Sequence, residues 1–129
     1  MRHIIATTAL AVALTSGAVT AHAAGDAQAG EKVFKSNCAR CHTAEKGGKD
    51  KVGPNLFGVF GATAGKRETS FEKRHSKAMK DSNVVWDDAS LDKYLENPKK
   101  FIPKNRMAFG GLKDAGDREN LIAYLKTLK

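Results

Sequence analysis

The sequence predicts an all-α domain of several short helices and long loops, closed around an apolar group that the chain itself does not supply. Three observations lead there. Four segments space their apolar residues at helical intervals, and none alternates well enough for a strand. The connections are long, and rich in glycine between Thr43 and Gly65. Aromatic residues make up only 7% of the 129 residues, so large side chains for a core are scarce. Small proteins with such a shortage make it up with disulfides, a metal or a cofactor. The length fits one domain. A hydrophobic content of 41% beside 28% charged residues argues against both wholesale disorder and a polytopic membrane protein.

Residues 1–23 read as a leader rather than as fold. Met1-Arg2-His3 is a charged start, an apolar run follows from Ile4 to Leu14, and Ala21-His22-Ala23 has the A-x-A form of a cleavage site. The run is broken by Thr7 and Thr8 and falls short of the roughly 20 residues that span a bilayer. A cleaved signal peptide is therefore expected, with 24–129 as the exported domain, a periplasmic destination and no stable membrane insertion.

Asp26 is placed to cap a first helix reaching about Cys38, with Ala29, Val33 and Phe34 toward the core. The stretch from Thr43 to Gly65 is loop chemistry, carrying Val52, Leu56, Phe57, Val59 and Phe60 as apolar plugs. A second helix is expected from about Ser70 to Lys80. A third starts at Asp87-Asp88, puts Leu91, Tyr94 and Leu95 on one face, and stops at Asn97 because Pro98 follows. An irregular stretch runs from Pro98 to Gly111. The last helix is expected from about Asp117 to Leu128, burying Leu121, Ile122, Tyr124, Leu125 and Leu128.

Cys38-Ala39-Arg40-Cys41-His42 is C-x-x-C-H, the attachment signature of c-type haem. Two thiols at this spacing can add across the two vinyl groups of one haem, and the next residue sets an imidazole against the iron. A thioredoxin-like pair would need a βαβ unit, which the pattern lacks. A zinc site would need a second ligand pair, but there is no further cysteine and His75 is the only other histidine after the leader. A plain disulfide leaves His42 without a role. For the opposite side of the iron, Met107 is the better methionine, because it sits in a loop able to fold over the haem face. Met79 lies in a helix needed for packing, and is expected to be core filler or lining of the haem pocket.

With these residues in view, the chain resembles class I cytochromes c of the mitochondrial and soluble bacterial type. The likeness runs from Gly25 to Lys129 and includes Gly30, Phe34, Cys38 to Gly48, Val52 to Leu56, Trp86, Tyr94 to Lys100, Ile102-Pro103, Met107 to Phe109 and Leu121 to Leu125. The resemblance implies one covalent haem c with His42 and Met107 as axial ligands. It implies that the Pro54 carbonyl accepts the other ring N–H of His42, that Tyr94 lines the methionine side, and that the Trp86 indole reaches a haem propionate. Gly30 and Phe34 would pack the first helix across the last at Leu121 and Tyr124. The chain also departs from the family. Ala62 stands where an arginine near a propionate is usual, His75 where many relatives have a propionate-bonding tyrosine, Asn105 where threonine is common, and Arg106 where lysine precedes the methionine.

A formal net charge of +8 suggests an anionic partner. Nucleic acid is disfavoured, since export removes it and no recognition motif is present. Lys49, Lys51, Lys99, Lys100, Lys104, Arg106 and Lys113 fall in segments that the family places around the exposed haem edge. The expectation is a monomeric one-electron carrier and not an enzyme. Its partners would be a cytochrome bc complex and a terminal oxidase, a photosynthetic reaction centre, or a periplasmic reductase or dehydrogenase. A small haem enzyme or ligand sensor, which needs an open iron position, is the alternative.

Overall fold

The structure, a computed structural model, describes residues 24–129; the expected leader lies outside the described residues. Five α-helices follow one another: α1 (Ala27–Asn37), α2 (Lys77–Asp81), α3 (Asp88–Glu96), α4 (Pro98–Phe101) and α5 (Ala115–Thr127), with a 3₁₀ turn at Glu72–Arg74 before α2. The fold is all-α. Among the described residues the only extended pairing is an isolated bridge between Thr63 and Val85. No helix among them is long and apolar enough to cross a membrane.

The helix ends follow the capping residues. The Asp26 carboxylate accepts the N–H groups of Gln28 (2.8 Å) and Ala29 (3.2 Å) at the start of α1. Asp87 and Ser90 close a reciprocal box at the start of α3. Asn97 ends α3 and also begins α4, its side chain accepting the Lys100 N–H at 3.1 Å. The expectation of an irregular stretch from Pro98 is therefore corrected. Proline stops the preceding helix, but at a first helical position its missing N–H costs nothing and its fixed φ suits the turn. α5 starts earlier than expected because Asp114, not Asp117, is its cap, accepting the Asp117 N–H at 2.8 Å.

The expected helix over 70–80 is also corrected. His75 is extended (φ −61°, ψ 142°) and separates the 3₁₀ turn from α2, which Ser76 caps by accepting the Met79 N–H. The hydroxyl three residues before Met79 competes with helix continuation, as serine at a cap does.

α1 crosses α5 at backbone contact. A Cβ on Gly30 would lie 1.8 Å from the Asn120 carbonyl oxygen, so only glycine permits this approach. Asp26 N–H adds a bond to Asn120 Oδ1 at 2.8 Å, and the rings of Phe34 and Tyr124 sit 5.6 Å apart. Leu121, Ile122, Leu125 and Leu128 are buried as expected, whereas Tyr124 is half-buried on the flank. α5 is bolted to α3 by Arg118, 7% exposed, which donates to Asp92 (2.6 Å) and to the carbonyls of Leu112 and Lys113. The loop from Thr43 to Gly65 ends by pairing its backbone with the stretch before α3: Gly61 N–H to Trp86 O, Trp86 N–H to Ala62 O and Ala64 N–H to Val84 O. Of its expected apolar plugs, Val59 is buried but Val52 stands 76% exposed.

Candidate functional site

The end of α1 turns directly into the C-x-x-C-H segment. Cys38 caps the helix, and the N–H groups of Cys41 and His42 both reach the Cys38 carbonyl at 2.9 Å. This turn presents two half-buried free thiols and one imidazole from five consecutive residues. Burial first, and then the neighbouring Cys41, push the Cys38 thiol up to about 11. An attacking thiol of an exchange catalyst has a depressed pKa, the opposite of what burial does to Cys38.

His42 Nδ1 lies 2.7 Å from the Pro54 carbonyl oxygen. A carbonyl only accepts, so Nδ1 carries the proton and Nε2 keeps the lone pair that a metal requires. Burial pulls the pKa of the ring down, Lys51 adds to that, and the Pro54 bond opposes both. The ring rests against Gly53, where a Cβ would come within 2.3 Å of His42 Cε1. Gly53 itself is tied to the motif, its N–H donating to Cys41 O at 2.8 Å. Its sequence signal was only a Gly-Pro pair in a loop, and nothing in the spacing assigned it the seat of the imidazole.

Met107 lies in the loop after α4, and Asn105 builds that loop. Asn105 is 3% exposed; its Nδ2 donates to the carbonyls of Pro98 and Ile102, each at 2.8 Å, and its Oδ1 accepts the Met107 N–H at 2.9 Å. Lys104 takes the left-handed φ of 65° that the tight turn requires, and Lys99 Nζ holds the Asn105 carbonyl at 2.6 Å. The Tyr94 hydroxyl donates to Met107 Sδ at 3.8 Å, and burial raises its pKa so that it remains a donor. Met79 is half-buried in α2 and packs against the core, as Met107 does.

Cys38, Leu56, Met79, Phe101, Met107 and Phe109 all pack against the buried core yet stay partly exposed. A flat apolar group would complete their burial, and the donor set of one neutral imidazole, one thioether and two thiols suits a haem c. The residues therefore fit that group.

The sequence profile of the cytochrome c family matches residues 27–129. The chain is a class I cytochrome c. It is similar to cytochrome c of Chlamydomonas reinhardtii, 52% identical over 103 residues that cover 80% of this chain and 89% of the relative. It is similar to cytochrome c of Theileria annulata, 52% identical over 102 residues covering 79% and 85%. Cytochrome c of Euglena viridis is 48% identical over 105 residues covering 81% and 99%.

Against this cytochrome c background the departures acquire positions. Trp86 is buried against Tyr94, ring centroids 4.8 Å apart. His75 is half-buried and edge-on to Phe71 at 4.9 Å. Burial lowers its pKa, and the charges of Arg67 and Lys80 lower it further against the opposing pull of Asp50 and Glu72. A different arginine is half-buried in this chain: Arg67 donates to the carbonyls of Asn55 and Phe57, each at 2.6 Å. Several of the basic residues singled out by sequence are fastened to the backbone. Lys51 reaches Ala39 O at 2.7 Å, Lys113 reaches Glu96 O at 2.8 Å, and Arg106 reaches Arg74 O at 3.2 Å.

Replacing Asn105 with alanine strands the half-buried Met107 N–H, and an unsatisfied donor in such a place costs about 1 kcal/mol. Urea unfolding of Asn105→Ala is expected to show that loss, with Met107 and its neighbours losing amide protection more than α5 does.

Proposed function

We propose that this chain is a soluble one-electron carrier with one haem c, linked by thioethers to Cys38 and Cys41 and ligated by His42 and Met107. The observation that carries this reading is the pair of fastened ligand loops: an imidazole whose Nδ1–H is committed to Pro54, and a methionine held by Asn105 and Tyr94. The bound haem supplies the chemistry, its iron alternating between ferric and ferrous with the thioether favouring the ferrous state. The chain's residues do the tuning. Pro54 raises the basicity of His42 by accepting the hydrogen bond from its Nδ1–H. Tyr94 donates to the sulfur without ionising. The Trp86 indole and His75 serve the propionates. With His42 and Met107 both holding the iron, no open position would be left for a substrate, and we read the carrier as not an enzyme.

The pattern of residues 1–23 supports export, and we assign the mature protein to the periplasm as a monomer. Its partners in this reading are a cytochrome bc complex and a terminal oxidase, a photosynthetic reaction centre, or a periplasmic reductase or dehydrogenase; nucleic acid is not among them. The basic residues supply the attraction, steering brief encounters with acidic docking sites.

Carbon monoxide offered to the ferrous protein and cyanide to the ferric protein test the closed centre. Both are expected to bind slowly to the wild type and to Met79→Leu, and readily to Met107→Ala. Rapid binding to the native protein would favour the small haem enzyme or ligand sensor instead. The docking reading predicts that electron transfer to a bc complex slows as salt is raised through about 0.1 M, where the screening length is about 10 Å; a rate indifferent to salt rejects it. For His75, the protonated ring favours the ferrous state. The midpoint potential should therefore fall as pH rises through the titration of His75, which burial and Arg67 move down and a bonded propionate would move up. His75→Phe should flatten that slope, and an unchanged slope removes His75 from the propionates.

A further inference from the structure

Residues 66–71 cross the loop that carries Pro54. A cleft of about 350 Å³, lined by Gly47, Gly48, Asp50, Arg67, Thr69 and Ser70 among others, separates this crossing from the loop beneath. Packing therefore holds the two together poorly there, and polar bonds do the work. They converge on Asn55. Its N–H donates to Asp50 Oδ1 at 2.8 Å, and its carbonyl accepts Arg67 Nη2 at 2.6 Å. Its side-chain Nδ2 donates to Glu45 O (2.8 Å) and Gly48 O (3.0 Å), while Oδ1 accepts the Phe57 N–H at 2.9 Å. Asp50 is braced from the other side by the Ser70 hydroxyl, which donates to its second oxygen.

The Asn55 N–H and the Pro54 C=O belong to one planar peptide group. No cis peptide bond occurs among the described residues, so the two point in opposite directions. Fixing the N–H on Asp50 therefore aims the carbonyl away from Asp50, and that carbonyl is the acceptor of His42 Nδ1–H. The φ of Pro54 is locked by its ring, leaving the orientation of this peptide group as the remaining freedom. An N–H bonded to a carboxylate also polarises its own carbonyl, making it a stronger acceptor. Burial, the largest influence on Asp50, pushes its pKa up, but the bonds from Ser70 and Asn55 and the charges of Arg74 and Arg67 hold it below the ordinary carboxylate value.

We infer that Asp50 and Arg67 are positioning residues: Asp50 aims and polarises the Pro54–Asn55 peptide group toward His42, Arg67 holds Asn55 in that pose through the carbonyl of the next peptide group, and together they set how strongly the imidazole donates to the iron. This rests on the reading of His42 as the iron's ligand. The two charges allow geometry to be told from simple electrostatics. Loss of a nearby positive charge lowers a haem's midpoint potential. Loss of the aim weakens the His42–Pro54 bond, makes the imidazole a poorer donor and raises the potential.

The experiment compares haem-loaded wild type, Arg67→Gln, Asp50→Ala and Asp50→Asn by potentiometry and by NMR exchange of the His42 Nδ1 proton. Arg67→Gln is expected to raise the potential and speed the exchange several-fold. Asp50→Ala should speed it about tenfold, as loss of a charge-assisted bond worth roughly 1.4 kcal/mol implies. Asp50→Asn keeps an acceptor oxygen without the charge and should restore most of the protection and of the potential. A lowered potential in Arg67→Gln, equal shifts in Asp50→Asn and Asp50→Ala, or exchange unchanged in all three overturns the assignment. His42→Ala tests the underlying reading separately. If its spectrum matched the wild type, the ligand assignment would fall, whereas the pattern above can fail with every variant still spectrally native.

Discussion

The close crossing of α1 and α5 is the constraint from which the remaining structure hangs. Two helices from opposite ends of the domain touch backbone to backbone at Gly30, with Asp26 bonded to Asn120 and Phe34 against Tyr124. Pinning both ends this way leaves the long middle of the chain as loops that start and finish on one scaffold. The C-x-x-C-H turn grows straight out of α1, so its thiols and imidazole inherit the rigidity of the crossing. Arg118 carries the same rigidity to α3, whose Tyr94 reaches Met107.

The loops that carry Pro54 and Met107 lack helices and need another source of order, and the chain supplies it through side chains that replace secondary structure. Pro54, Gly53 and Asn55 on one side, and Asn105, Lys99 and Lys104 on the other, bond or bend the backbone where no ladder exists. Each of these bonds is local in space, and buried polar groups that are fully paired specify one arrangement. The half-covered apolar side chains against the core fit an apolar group larger than any residue, in keeping with the scarcity of aromatics.

Much of this was legible in the sequence because capping and punctuation are local signals. Asp26 and Asp87 marked their helices, Pro98 marked the end of α3, and C-x-x-C-H fixed the thiols and imidazole. What escaped is what depends on distant partners. His75 interrupts an otherwise helical stretch because Ser76 caps a new turn. Pro98, read as a stop, also serves as a start. Gly53 looks like any loop glycine until the imidazole lies on it, and the roles of Asn105 and Arg67 exist only once their carbonyl acceptors are in place.

The tethering of Lys51, Lys99 and Lys113 to main-chain carbonyls has a thermodynamic corollary. A free lysine surrenders up to about 2 kcal/mol of rotamer entropy when a contact immobilises it. Ammonium groups already anchored have surrendered much of that on folding. Contact with an acidic surface then freezes less motion, so an encounter can be selective without the long residence that extensive ordering would otherwise demand.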